Sequence, residues 1–169
     1  MKKILVCAML AVASIGFMNA QQVQNAIGVK QGITGADFSF QYALSDVNRL
    51  EANIGFGFHS NTLLVTSSSV WITGIYQWVW DFSQLAPGFQ WYVGVGALCG
   101  IRTTNSTFFD TRTSGVYLAA IGNIGIEYNF EFPLQLAIDW TPGIGITTYR
   151  DGGLFLAAQR VGFAARWRF

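Results

Sequence analysis

Charge is scarce in this sequence. Lys, Arg, Asp and Glu make up 11% of its 169 residues, while 51% are hydrophobic. A soluble domain carries charge at roughly 25–35% of its surface positions, so much of this surface is not built to face water. Histidine occurs once, as His59, and cysteine twice. Cys7 lies in the leading apolar segment, which leaves Cys99 alone. That excludes an internal disulfide and a multi-cysteine metal site, and Cys99 reads as a small apolar residue. Bases and acids number 10 and 9, with no basic patch to attract nucleic acid. After the first twenty residues no long apolar run survives: Ser67, Ser68, Ser69, Pro87, Gly88, Gly94 and Gly96 break the uncharged stretches. A membrane-spanning helix needs about 20 mostly apolar residues in succession, so helical spans are not expected. No metal or cofactor is expected either.

What is present begins with an export signal. Lys2 and Lys3 precede an uncharged apolar segment, Ile4 to Phe17, and Ala20 offers a small residue for cleavage before Gln21. The expected division is a signal peptide over 1–20 and one barrel domain over 21–169. Without Lys2 and Lys3, 8 bases stand against 9 acids, a net charge of −1.

The rest of the chain alternates with period two, the mark of strands with one apolar face. In the last segment Phe155, Ala157, Val161, Phe163, Ala165, Trp167 and Phe169 share one parity, interrupted by Gln159. Arg160, Arg166 and Arg168 share the other with Gly162 and Ala164. A helix would spread these arginines around its surface, whereas a strand sets them on one side. Seven earlier segments alternate similarly, from AIGVKQG at Ala26 to LQLAIDWTPGIGI at Leu134, which predicts about eight strands.

Two features place the apolar face outside. It carries most of the bulky aromatics, and an eight-stranded barrel has little interior room. The opposite face holds glycines, among them Gly28, Gly55, Gly94, Gly125 and Gly162. Ten charges sort onto that small-residue face: Lys30, Asp37, Glu51, Asp81, Arg102, Glu127, Asp139, Arg160, Arg166 and Arg168. Seven others, Arg49 and Arg112 among them, are assigned to turns and loops. An Arg or Lys facing lipid at mid-membrane costs roughly 2–4 kcal/mol. Turned inward, these groups pair, and the expected lumen is plugged by ion pairs. The expected fold is all-β: a closed, antiparallel, up-and-down transmembrane barrel. Short links (SDVNR, SQLAPG, EFP) alternate with longer ones around HSNTLLVTSS and TTNSTFFDTRTSG. This is the pattern of short periplasmic turns and longer extracellular loops.

The segments AIGVKQG, LSDVNRLEANIGF, GFQWYVGVGALCG, IGNIGIEYNF, PLQLAIDWTPG and VGFAARWRF together resemble the small eight-stranded outer-membrane barrels of the OmpX and OmpA-transmembrane-domain type. The likeness is nearest to single-domain barrels of the Bacteroidetes. It implies a bacterial outer-membrane location among lipid and lipopolysaccharide. It also implies that Val161, Phe163, Trp167 and Phe169 form the strip read by the barrel-assembly machinery. Unlike OmpA, the sequence shows no peptidoglycan-binding domain after the barrel.

Three functions compete. In the favoured one the barrel is non-enzymatic and acts in envelope structure or surface interaction. Its loop residues Phe108, Phe109, Asp110 and Arg112 would then contact a host surface, a polysaccharide or a protein. The second is a narrow channel for small solutes. The third is a lipid A-modifying enzyme with His59 as base. His59 and Ser60 are adjacent, so on a strand they point to opposite faces, which favours a polar histidine at the rim. Pro142 beside Gly143 predicts a bulge or opening in the seventh strand, because proline withholds a ladder hydrogen bond.

Overall fold

Alternating apolar and polar residues become strands wherever the two faces meet different surroundings, and here they close into a barrel. The computed structural model describes residues 23–33, 35–62, 65–82, 86–106, 111–149, 152–157 and 160–169, without the side chains of 59–62, 65, 106 and 111. The strands are β1 (Ala26–Gly32), β2 (Gly35–Ser45), β3 (Asn48–Thr62), β4 (Val65–Asp81), β5 (Phe89–Ser106), β6 (Thr111–Asn129), β7 (Leu134–Trp140), β8 (Gly143–Thr147), β9 (Gly153–Leu156) and β10 (Val161–Arg168). Strands adjacent in the barrel pair antiparallel, and β1 pairs with β10 to close the ring. The halves β7 and β8 make one barrel strand and β9 and β10 another, so the barrel has eight.

Pro142 explains the interruption of the seventh strand. On the β6 side the register runs through it unbroken: Ile124 faces Trp140, Ile121 faces Gly143, and Gly122 N donates to Pro142 O at 2.8 Å. The other side differs. Ala157 and Gly143 exchange hydrogen bonds of 2.7 and 3.0 Å, and Thr141 N donates to Arg160 O at 2.8 Å. Thr141 and Gly143 are two residues apart, while their partners Arg160 and Ala157 are three apart, so the last strand gains one residue here, as at a bulge. The extra residue inverts parity. Phe155 lies inside against Tyr117, with ring centroids 6.2 Å apart, while Val161 and Phe163 point outward, exposed. The sequence reading set Phe155 and Ala157 on the outer face with Val161; the bulge corrects that.

The long links are shorter than expected, because the strands run into them. β3 continues to Thr62, β5 to Ser106, and β6 begins at Thr111. Outside the barrel's closed section nothing imposes alternation, so these hydroxyl-rich segments are strand without showing period two.

The outer face is apolar. Ile27, Phe38, Ile54, Ile72, Ile126, Ile138 and Phe163 all point outward, each with about half or more of its surface exposed. Aromatics gather toward the end with the short turns: Trp80 stacks on Trp91 at 4.5 Å, and Phe89 meets Tyr128 at 4.8 Å.

Candidate functional site

The barrel's inner face carries its polar chemistry. At mid-height Glu51 is the hub. Its carboxylate accepts from Arg166 Nη2 at 3.1 Å, Gln41 Nε2 at 2.8 Å, Gln77 Nε2 at 3.1 Å and Asn53 Nδ2 at 3.0 Å. Lys30 Nζ lies 3.8 Å from it and 2.6 Å from Asp139 Oδ2. Tyr92 donates its hydroxyl to the same Asp139 oxygen at 3.0 Å. One level toward the short turns, Arg49 forks onto Glu127 at 2.7 and 2.8 Å and donates Nε to Gln77 at 2.6 Å. Two parallel bonds of this kind fix orientation as well as attract. Arg49, Arg166, Tyr92, Gln41, Gln77, Glu51 and Glu127 are all under 2% exposed.

Glycine makes the room. A Cβ on Gly125 would sit 2.5 Å from the Tyr92 ring, and one on Gly162 would sit 2.5 Å from Lys30 Cε. One on Gly55 would collide with Asp37 and Trp71. Large inward side chains from one strand lie over bare backbone of another.

Arg49 is the principal correction to the sequence reading, which assigned it to a turn. Strand β3 begins at Asn48, so Arg49 shares the inward parity of Glu51 and Asn53. With it, six bases rather than five face inward, against the acids Asp37, Glu51, Asp81, Glu127 and Asp139. The three arginines of the last segment have different surroundings. Arg166 joins Glu51 and also donates to Ser39 Oγ at 2.9 Å. Arg160 lies over the Trp71 ring at 5.0 Å. Arg168 donates to the carbonyl oxygens of Phe130 and Phe132 at the rim. Asp37 accepts the Trp71 indole N–H at 2.6 Å. Arg102 is exposed and has no hydrogen bond or ion pair among the described residues.

Sequence reasoning turned Trp71, Tyr92 and Tyr117 inward but missed the apolar neighbours that gather around Trp71. Trp71, Ile75, Leu98, Ala119 and Ile121 pack together in the half of the lumen farther from the short turns. Strand parity, counted from Thr73 and Gln77, is the signal that places Ile75 there. Beyond this cluster the lumen widens into a cavity of about 520 Å³. Two small voids, of about 20 and 10 Å³, flank the charged section.

Val161, Phe163, Trp167 and Phe169 are exposed on the outer face. Phe108, Phe109 and Asp110 lie outside the described residues, as do residues 1–20. Arg112, expected in a loop, lies in β6 opposite Asn105, because the β5–β6 ladder continues past the closed barrel. His59 faces Ser67 in the β3–β4 register, and its side chain is outside the description. Ser67 Oγ shares a 2.8 Å hydrogen bond with Thr104 Oγ1. Among the described residues no group of three His, Cys, Asp or Glu side chains is placed to hold a metal ion. Compared with protein-family models, curated proteins and solved structures, the chain matches none.

Proposed function

We propose that this protein is a non-enzymatic outer-membrane barrel whose lumen is sealed by its own ion pairs and whose extended hairpins form a surface-interaction sheet. The observation that carries this is the inversion of the two faces. Arg49, Glu51, Glu127 and Arg166 are buried inside, while the residues turned outward are isoleucine, phenylalanine, valine and tryptophan. Soluble proteins rarely expose a contiguous apolar patch beyond roughly 300–600 Å². Lipid requires the closed hydrogen-bonded ring that this barrel has.

A second feature supports the membrane reading. The outward residues change character at one step of the ladder. Val70, Ile101 and Val116 face one another across β4, β5 and β6. The next outward row is Ser68, Thr103 and Ser114, and the next Thr66, Asn105 and Arg112. Apolar gives way to polar within one pair of residues, as at a lipid–water boundary. Strands of 15 to 19 residues, β3 to β6, exceed the 9–11 that a bilayer needs. Their excess projects past the turn between Gly32 and Gly35. There the outer edge of β3 beyond Phe56 and the free edge of β9 have no strand partner among the described residues. Unpaired edges are templates for a further strand, which suits a protein partner on the cell surface. The outward strip Val161, Phe163, Trp167 and Phe169 is the surface we assign to the barrel-assembly machinery during insertion.

Fractionation tests this reading. The protein is expected in the outer-membrane fraction, with a gel band that shifts on boiling and strands that resist protease. Recovery as a soluble periplasmic protein would refute it.

A further inference from the structure

We propose that the widened part of the lumen is a binding site for an amphiphilic carboxylate, an acid group on a compact apolar body. The cavity of about 520 Å³ lies within the size range of small-molecule sites, roughly 300–1,000 Å³. Its walls combine Leu98, Trp71, Tyr117 and Phe155 with two cations, Arg102 and Arg160. Apolar surface with a few convergent polar groups is what a small-molecule site requires.

The charge balance points to an anion. The sealed section is neutral by itself: Lys30, Arg49 and Arg166 stand against Glu51, Glu127 and Asp139, joined by ion pairs of 2.6 to 3.8 Å. Beyond it, Asp37 is the acid that acts most strongly on Arg160 among the described residues, and it already accepts the Trp71 N–H at 2.6 Å. Among the described residues Asp37 offsets one of the two charges. Arg160 is held over Trp71 at 5.0 Å, which fixes its guanidinium at the cavity wall. Arg102 brings the second guanidinium with no hydrogen bond or ion pair among the described residues. A guanidinium presents its donors in a fork that matches a carboxylate. The apolar walls would take the rest of the molecule.

Access fits an amphiphile. Beyond the turn at Gly32 and Gly35 no strand joins β3 to β9 among the described residues, which leaves that side of the cavity without a hydrogen-bonded seam among them. Leu154 and Leu156 on β9 are 72% and 74% exposed. The carboxylate can therefore come from solution as an aromatic acid or from the adjoining leaflet as a fatty acid. This inference concerns the cavity and does not depend on what the sheet edges bind.

Calorimetric titration of the protein in lipid nanodiscs with 2-naphthoate, and retention of labelled palmitate over empty nanodiscs, test the two sources. One-to-one saturation by naphthoate, with no saturation by neutral 2-naphthylmethanol, is expected if the source is solution. Saturable palmitate retention alone would assign the leaflet. In either case Arg102→Gln should weaken binding roughly tenfold or more, the loss of a charge-assisted contact. Ser69→Trp, which fills the cavity from β4, should abolish it. Arg102 is exposed, so its variant folds, as the boiling-dependent gel shift will verify. Failure of both ligands to saturate, equal binding of the alcohol, or affinity unchanged in Arg102→Gln would overturn the proposal.

Discussion

At the scale of single residues, the interior depends on the pairing of its buried charges. A buried charge deprived of its partner costs about 3–5 kcal/mol, although replacing a whole pair with apolar groups is often neutral. Arg49→Ala should therefore lower stability by about that amount in urea unfolding from lipid vesicles. Arg49→Met combined with Glu127→Leu should recover most of the loss. If the single and double variants unfold alike, the pair does not matter as described. Glycine gives a second test. Gly125→Ala places a methyl against the Tyr92 ring, and overpacking of this kind costs about 1–3 kcal/mol. A midpoint equal to the parent's would show that Tyr92 does not occupy the space above Gly125. These residues were unequally legible. Glu51, Glu127, Asp139 and Arg166 stand out by strand parity. Arg49 was hidden because the turn SDVNR appeared to include it, although its parity with Glu51 was there to be read.

At the scale of elements, alternation identifies a strand only while its two faces meet different surroundings. From Val70 to Trp80 one face of β4 is buried and the other is apolar and exposed, and the pattern is clear. From Thr66 to Ser69 alternation ends, but the ladder to β5 continues. Period therefore located the closed barrel and mistook the projecting hairpins for loops. The last segment failed in another way. The last strand takes three steps, Ala157 to Arg160, where its neighbour takes two, which inverts the parity of Phe155, and only the paired strand reveals that. The boundary between apolar and polar rows makes a prediction about elements. Ile138→Arg, facing outward between Phe163 and Ile126, should destabilise by about 2–4 kcal/mol in vesicles. Ser68→Arg, on the projecting part of β4, should stay within about 0.5 kcal/mol of the parent. Equal effects at the two sites would remove the boundary as a membrane marker.

At the scale of the whole molecule, the barrel has three zones along its axis. Rim aromatics and the Arg168 contacts occupy the short-turn end, the ion pairs lie in the middle, and an arginine-bearing cavity opens at the far end. Fold class and the orientation of the faces were legible in the sequence, because a shortage of charge and an excess of outward aromatics bear on the whole chain. The cavity was not, since it arises from strands of unequal length and from the bulge at Pro142. The central claim is that the middle zone closes the lumen. Recordings of the purified protein in planar lipid bilayers test it most directly. A sealed barrel predicts no discrete conductance steps from protein whose insertion is verified by its boiling-dependent gel shift. Reproducible unitary steps from the unmodified protein would contradict it.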